Sequence, residues 1–219
     1  MTASTLSAPK AKRRVVGTGT IVTSLIGLAL LVGIAFDTKV VRIGSEAASG
    51  PERFSAETYG PAEFPKVRDA IAAKAVDAPV LAAAIAENKT AAAEKYGVAS
   101  GGTSVLPVSF TGVAGEPKAG IYTVTVPNMP DGVTLRVQTG PAINGTELRD
   151  ATGTIEFGQF TNQIEYQDAG SALNNAMKAE VLAPIDTKSL AGKTISVTGA
   201  FRLVNAKNWL VTPVKLTVQ

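Results

Sequence analysis

The sequence contains no cysteine and no histidine among its 219 residues. Without cysteine it offers no disulfide, no thiolate nucleophile and no cysteine-type zinc site. Without histidine it lacks the imidazole that most often serves as a general base or a metal ligand. The familiar hydrolase triads built on these residues are therefore excluded. The sequence predicts neither a metal site nor a cofactor.

Aromatic residues are scarce, at 5% of the sequence, and positive charge is concentrated near the start. Lys10, Lys12, Arg13 and Arg14 form a basic cluster with no acidic residue before it. They are four of the 21 basic residues, so the remainder carries 17 basic and 18 acidic side chains and a net charge of −1. A nucleic-acid-binding domain carries its positive charge on the domain itself. We therefore expect no nucleic-acid partner.

An uncharged run of 22 residues, from Val15 to Phe36, follows the basic cluster. A helix of that length spans about 33 Å, enough for a hydrocarbon core of about 30 Å. Residues 15–36 are therefore a predicted transmembrane anchor. The basic residues before it predict a cytoplasmic tail over residues 1–14 and an extracytoplasmic body, as in a single-pass protein of the inner membrane.

A cleaved signal peptide is the alternative interpretation of the same run. The small residues Gly33 and Ala35 suit a cleavage just after Ala35. The run is longer than the 7–15 apolar residues usual in a signal peptide, which favours a retained anchor. A buried core helix is a third interpretation. The first two send the body to the same compartment.

The residues after the anchor divide into a predicted linker and a predicted helical segment. Residues 37–61 are small and polar with several glycines and prolines, which is typical of a linker. The helical segment is predicted over residues 62–102. Its first helix is predicted to start at Pro61, because proline fits the first turn of a helix.

A second helix is predicted from Asp77, as its N-cap, to Gly97. Gly97 would take the left-handed conformation that commonly ends a helix. Gly101 and Gly102 follow at once, and their flexibility predicts a hinge between the helical segment and the rest of the chain.

From Thr103 onward apolar and polar residues alternate, which is typical of strands with one buried face. Three strands are predicted, then a helix from Asn162 to Ala183, then two more strands. This order matches a small five-stranded Greek-key barrel, the OB-fold, with its helix between the third and fourth strands. The predicted fold class is α+β, with the OB-like barrel over residues 103–219. The strands are predicted around Leu106–Phe110, Tyr122–Val126, Val133–Val137, Ile195–Leu203 and Val211–Val218.

Several local signals refine this prediction. The Asp131-Gly132 pair predicts a hairpin turn between the second and third strands. Thr154–Phe157 is a predicted short strand. Asn162 is a predicted helix cap. Gly170 predicts close approach of the helix to a strand, and Gly199 predicts a β-bulge or a barrel corner.

Polar side chains are densest between residues 144 and 166, and a small polar-ligand site on the barrel is predicted there. The planar fork of Arg149 suits a carboxylate or a hydroxyl pair, while Asn162 and Gln163 suit hydroxyls. The structural alternative is that Arg149 and Asp150 hold a long loop while Asn162 caps a helix. Such residues more often serve that structural role. The candidate ligand-binding residues are Asn144, Thr146, Arg149, Asp150, Asn162, Gln163, Glu165 and Tyr166.

Catalysis is the runner-up hypothesis for the same region. Glu147, Asp150 and Glu165 could act as a general acid and base in a carbohydrate hydrolase of the cell envelope. Nothing in their spacing requires that role. We therefore expect a protein that is not an enzyme, with no catalytic residues.

Four motifs, in the order in which they stand here, resemble DUF2291, a bacterial family of predicted periplasmic lipoproteins without assigned activity. They are Gly140–Ala151, Phe160–Tyr166, Leu190–Phe201 and Val211–Val214, and the resemblance runs from about Asp37 to the C-terminus. The family is often encoded beside sugar ABC-transport components. The resemblance therefore implies a transport accessory role, with a transporter component or a small polar solute as partner, and it supplies no catalytic residues.

The sequence departs from this family at the lipid attachment site. Leu31, Val32 and Gly33 resemble the start of a lipobox, but Ile34 stands where the lipidated cysteine would be. Lipid attachment at this position is excluded. A retained membrane helix would replace the lipid as the anchor.

Overall fold

The computed structural model describes residues 54–219, together with Gly19 and Val32. The predicted tail and anchor otherwise lie outside the described residues, as does the predicted linker up to residue 53. Within the described part of the chain, no helix is long and apolar enough to cross a membrane. Phe54–Gln219 form one compact unit, so the helical segment predicted over 62–102 packs in the same unit as the barrel.

Three helices open this unit, α1 (Ala56–Lys74), α2 (Ala78–Glu87) and α3 (Lys89–Tyr96). The predicted start of the first helix at Pro61 is wrong, because α1 begins five residues earlier and contains both Pro61 and Pro65. A proline inside a helix removes a backbone hydrogen bond. The burial of Phe64, Val67 and Ile71 along one face outweighs that cost.

The predicted second helix is interrupted at Asn88, which lies between α2 and α3. Its backbone is extended, with φ −154° and ψ 104°, and its side chain caps α3 by accepting a hydrogen bond from the Ala91 N–H at 3.0 Å. Asp77 precedes α2 but makes no capping bond through its side chain. Gly97 follows α3 with φ −111°, so the predicted left-handed conformation is wrong. A Cβ at Gly97 would collide with the Ala93 carbonyl oxygen and with Leu106, so close packing explains this glycine.

Five of the strands close into a barrel. The strands of the described residues are β1 (Val76–Asp77), β2 (Val98–Ser100), β3 (Thr103–Lys118), β4 (Ile121–Thr125), β5 (Thr134–Gln138), β6 (Thr194–Arg202) and β7 (Asn208–Val218). They pair in the order β3, β4, β5, β7, β6, and β3 also pairs with β6 to complete the ring. The β5–β7 pair is parallel and the other barrel pairs are antiparallel. These five strands lie where the alternating pattern predicts them.

The two short strands were not predicted, and both extend the sheet along β3. Val76 of β1 pairs with Val108 in parallel, and β2 forms an antiparallel hairpin with the start of β3. Gly101 and Gly102, with φ of 57° and 77°, make the turn of that hairpin. The predicted hinge at these glycines is therefore wrong, because a hydrogen-bonded hairpin occupies the position.

The chain between β5 and β6 forms two helices, α4 (Glu147–Asp150) and α5 (Gln163–Met177). A π-helical turn extends α5 over Lys178–Leu182, so the helical path ends close to the predicted Ala183. The predicted strand over Thr154–Phe157 is wrong. The backbone of this stretch makes local hydrogen bonds instead of pairing with a strand. The Gln159 side chain donates to the Thr154 carbonyl at 2.9 Å, and Phe157–Gln159 form a 3₁₀ turn.

The core lies inside the barrel and beneath the helices. Trp209 is fully buried and stacks on Phe201, with ring centroids 4.4 Å apart. The register of β6 against β7 shifts between Thr198 and Gly199, which confirms the predicted bulge. Outside the barrel, α1 packs along α5, and Gly60 faces the backbone of Ala172. The helix pair therefore forms a layer over the barrel.

Candidate functional site

Asp150 lies at the centre of the predicted polar cluster, where four side chains bind its carboxylate. Oδ1 accepts a hydrogen bond from Arg149 Nε at 2.8 Å. Oδ2 accepts from Arg202 Nη2 at 2.6 Å, Thr146 Oγ1 at 2.8 Å and Ser100 Oγ at 2.9 Å. We call these five residues the Asp150 network. Only 3% of the Asp150 side chain is exposed, so all of its hydrogen bonding takes place inside the protein.

Arg149 points into the fold. Besides Asp150, it donates from Nη1 to the Tyr166 carbonyl at 2.8 Å, and its guanidinium lies 3.6 Å from the centre of the Tyr166 ring. Gly170 of α5 leaves room for this arrangement, since a Cβ there would lie 3.3 Å from Thr146. The close approach predicted at Gly170 is therefore made to α4 and not to a strand. Arg149 joins α4 to α5, which is the structural alternative raised for it above.

Arg202 comes from the end of β6 and joins three separate segments. Its Nη1 donates to the Ser100 carbonyl at 2.9 Å and to Thr103 Oγ1 at 3.0 Å. Its Nη2 donates to Asp150 and, at 3.2 Å, to Thr146. Arg202 therefore ties the β2–β3 hairpin and α4 to the barrel.

Two neighbouring carboxyl groups have pKa values shifted in opposite directions. Burial alone would raise the pKa of Asp150, but hydrogen bonds from Arg149, Thr146 and Ser100 outweigh it and lower the pKa. Burial raises the pKa of Glu147, and Asp150 adds to the rise, although the Glu147 backbone N–H and Arg202 oppose it. Within residues 54–219 no group of three or more carboxylates comes together to hold a metal ion.

The other predicted site residues lie apart from the Asp150 network. Asn162 is exposed and caps α5, accepting from the Ile164 and Glu165 N–H groups at 2.9 and 3.0 Å. The Glu165 carboxylate accepts from the Thr161 N–H at 2.9 Å, and Gln163 is exposed on the first turn. The structure therefore brings Thr146, Arg149, Asp150 and Tyr166 together. It leaves Asn162, Gln163 and Glu165 at the start of α5, and Asn144 in the loop between β5 and α4.

Asn144 borders a cleft of about 310 Å³ on the outer side of the barrel, which we call the polar cleft. Most of its lining residues come from β5, β7 and the loop before β7, and among them only Asn144 is a ligand-binding candidate predicted from the sequence. Their positions on the polar face of the strand pattern are the signal that could have found them. The lining residues are Arg136, Gln138, Asn144, Glu147, Arg202, Val204, Asn205, Asn208 and Leu210.

A second feature absent from the sequence prediction is a cluster of five aromatic rings at the start of α1 and α5. Ring centroids of neighbouring members lie 5.2–5.8 Å apart, mostly edge to face. Phe157 is 49% exposed, and Phe54, Tyr59, Phe160 and Tyr166 are half-buried. We call these five residues the aromatic surface. They are five of the twelve aromatic residues in the sequence, and no sequence pattern links positions 54 and 59 to positions 157–166.

The fold places the protein in the class of OB-fold β-barrel proteins. The chain is similar to the crystal structure of an OB-fold protein from Thermotoga maritima, with a TM-score of 0.62 and 21% sequence identity over 77% of this chain and 100% of that chain. The model of the DUF2291 family, described as a predicted periplasmic lipoprotein, matches residues 25–217. The protein belongs to the DUF2291 family. Among curated proteins, none matches the sequence.

Proposed function

We propose that this protein is a non-catalytic binding protein, held at the outer face of the cytoplasmic membrane by residues 15–36, and that it serves as an accessory to a sugar ABC-transport system. The family description supports an extracytoplasmic location. The uncharged run of 22 residues supports a membrane helix in place of the missing lipid-bearing cysteine. Association with a transporter rests on the resemblance described above.

The aromatic surface is the observation that best supports binding to a protein partner. Large aromatic side chains dominate the energetic centres of protein interfaces, because each buries a large area and loses little conformational freedom. The rings here already contact one another, so their positions are fixed before a partner arrives. Phe157 at 49% and Ile164 at 70% exposure leave apolar area open to solvent at the same end of α5. Exposed apolar patches of this kind mark interaction sites.

Only a short length of chain separates the predicted anchor from the aromatic surface. Phe54 belongs to the aromatic surface and follows the last residue of the predicted anchor, Phe36, by 18 positions. A fully extended chain of that length spans about 60 Å at most. A membrane-embedded transporter subunit lies within this reach, which supports such a subunit as the partner.

Photocrosslinking in intact cells tests this proposal. A photoreactive phenylalanine analogue replaces Phe157 in the full chain, and the matched control carries it at Val113, an exposed apolar residue of β3 that is 46% exposed. We expect the Phe157 position to give an adduct with a membrane subunit of the transport system, identified by mass spectrometry, and the Val113 position to give none. Adducts with the same proteins from both positions, or no adduct from Phe157, would contradict the proposal.

A carbohydrate hydrolase is the second candidate, and the opposite pKa shifts of Glu147 and Asp150 favour it. Neighbouring carboxyl groups with separated pKa values are typical of acid and base pairs. Four side-chain hydrogen bonds hold the Asp150 carboxylate, and the Glu165 carboxylate accepts from the Thr161 N–H at the start of α5. These contacts favour a structural role for Asp150 and for Glu165. Turnover of polysaccharides by the purified protein that is lost in Glu147→Gln and kept in Glu165→Gln would establish this candidate. Absence of turnover in the unaltered protein would dismiss it.

A further inference from the structure

The polar cleft contains a guanidinium group that the protein itself uses only in part. Arg136 Nε donates to Asn208 Oδ1 at 2.9 Å, which fixes the direction of the half-buried side chain. Its two terminal amino groups have no hydrogen-bond or ion-pair partner among residues 54–219. A guanidinium offers a pair of parallel donors that matches the two oxygens of a carboxylate. Arg136 is therefore oriented to bind an anionic group in the cleft through its two terminal amino groups.

Glu147 lines the same cleft, and among residues 54–219 its charged carboxylate is stabilised only by its own backbone N–H and by the more distant Arg202. Only 14% of its side chain is exposed, and its nearest cation, Arg202 Nε, lies 3.8 Å from Oε1, beyond hydrogen-bond distance. Arg202 gives its shortest bond, 2.6 Å, to Asp150. No side chain among the described residues donates a hydrogen bond to Glu147. An ionised carboxylate only accepts hydrogen bonds, so Glu147 favours a ligand that carries hydroxyl donors.

The walls of the cleft are fixed by residues that are hydrogen-bonded within the protein. The Gln138 side chain donates to Thr212 Oγ1 at 2.8 Å and to the Asn144 carbonyl at 3.1 Å, and it accepts from the Asn144 N–H at 3.2 Å. The loop that carries Asn144 is thus fixed to the barrel, and its exposed side-chain amide stays available. Val204 and Leu210 add apolar contact area. A volume of about 310 Å³ suits a ligand of monosaccharide size.

We propose that the polar cleft is a binding site for a small polyhydroxy carboxylate, a sugar acid, whose carboxylate pairs with Arg136 and whose hydroxyl groups donate to Glu147. A simple carboxylate would give Glu147 no donor beyond its own backbone N–H, and a neutral sugar would leave Arg136 without an anion. A ligand that carries both groups in one molecule therefore complements both side chains. This inference concerns a different surface from the aromatic surface and does not depend on the accessory role.

Isothermal titration calorimetry on the full chain in detergent tests the proposal with defined probes. The probes are three sugar acids (D-galacturonate, D-glucuronate and D-gluconate), with D-galactose and acetate as the neutral and hydroxyl-free counterparts. We expect at least one sugar acid to bind ten-fold or more tightly than both counterparts. No measurable binding by any of the three sugar acids, or equal binding of acid and neutral sugar, would overturn the proposal.

Variants at the two key residues locate the binding in the polar cleft. Arg136→Gln and Glu147→Gln should each weaken binding at least ten-fold, whereas Arg68→Gln, which removes a cation from α1, should bind as the unaltered protein does. Arg136→Lys keeps the charge but not the paired donors, and it should also weaken binding. Thermal unfolding identifies any variant that fails to fold, and the proposed binding site is then tested on the variants that do fold. Binding that is unchanged in the folded Arg136 and Glu147 variants would place it elsewhere and refute the assignment. The photocrosslinking test of the proposed function is independent of these titrations, because it probes the aromatic surface and not the polar cleft.

Discussion

Asp150 receives more side-chain hydrogen bonds than its neighbours because two distant segments of the chain, β2 and β6, meet its own helix α4 at its carboxylate. Ser100, Arg149 and Arg202 come from β2, α4 and β6. A buried charge is stable only when it is paired and hydrogen-bonded. The two arginines and the two hydroxyl groups meet that need, so the network holds α4 and the β2–β3 hairpin against the barrel.

Replacing Asp150 by asparagine should therefore destabilise the fold strongly. Asp150→Asn leaves Arg149 and Arg202 without their shared anion, and breaking a buried ion pair from one side costs about 3–5 kcal/mol of unfolding free energy. Urea denaturation followed by circular dichroism measures the change. The control is Asp168→Asn, an exposed residue of α5, which should shift the unfolding free energy by about 0.5 kcal/mol or less. Equal effects of the two substitutions would contradict the structural role of Asp150.

The opposite pKa shifts of Glu147 and Asp150 predict opposite dependence on pH. The lowered pKa of Asp150 gives stability that is present above its ordinary pKa of 3.8 and is lost as the pH falls through the folded-state value. The raised pKa of Glu147 gives a contribution that is present below its ordinary pKa of 4.5 and is lost as the pH rises through the folded-state value.

Urea denaturation between pH 3 and pH 7 checks both signs. The destabilisation caused by Asp150→Asn should shrink as the pH falls toward 3. Glu147→Gln should be more stable than the unaltered protein at pH 7, and this advantage should shrink at or below pH 4.5. A difference from the unaltered protein that stays constant over this range would show that the carboxylate concerned has no shifted pKa.

At the residue level the sequence predicts a polar cluster over residues 144–166 but not the direction of its side chains. Thr146, Arg149 and Asp150 lie together, and Arg149 bonds inward to Asp150 and Tyr166. Arg202 was missed because it lies 52 positions after Asp150 in the sequence. Only closure of the barrel brings the two together, and no local pattern encodes that contact.

Among the elements, the contact between α1 and α5 depends on a glycine. A Cβ at Gly60 would collide with the backbone carbonyl of Ala172. Gly60→Ala should push the two helices apart and destabilise the protein by about 1–3 kcal/mol, as overpacking commonly does.

Thermal and urea unfolding measure this change. The matched control is Gly158→Ala in the 3₁₀ turn, where a Cβ has nothing within 4 Å. The control should change stability by about 0.5 kcal/mol or less. If Gly60→Ala behaved like the control, the close packing of α1 on α5 would be refuted.

The elements that the sequence predicted well are those with a long internal pattern. The alternation of apolar and polar residues was sufficient to predict the barrel strands, and the Asn162 cap was sufficient to predict the start of α5. β1 has only two residues and exists because Val76 meets Val108 of β3, so its signal lies in its partner. α1 passes through Pro61 and Pro65 because tertiary packing outweighs a local penalty that sequence rules treat as decisive.

In the whole molecule, a closed barrel and its helical layer form one unit that presents two separate surfaces. The aromatic surface lies at the start of α1 and α5, and the polar cleft lies on the barrel beside α4. The Asp150 network fixes α4 in place. Its carboxylate and guanidinium groups, which are well suited to catalysis, thereby serve a structural role. This division supports a protein that works by binding.

The proposed function requires that the body lies outside the cytoplasm while the chain stays in the membrane. Because the sequence has no cysteine, single cysteines can be labelled without background. Lys207→Cys, exposed in the loop before β7, and Ser7→Cys, in the predicted tail, are each treated with a membrane-impermeant maleimide in spheroplasts. We predict that Lys207→Cys is labelled at once, that Ser7→Cys is labelled only after lysis, and that both proteins sediment with the membranes. Protection of Lys207→Cys until lysis, or recovery of either protein in the soluble fraction, would contradict the account.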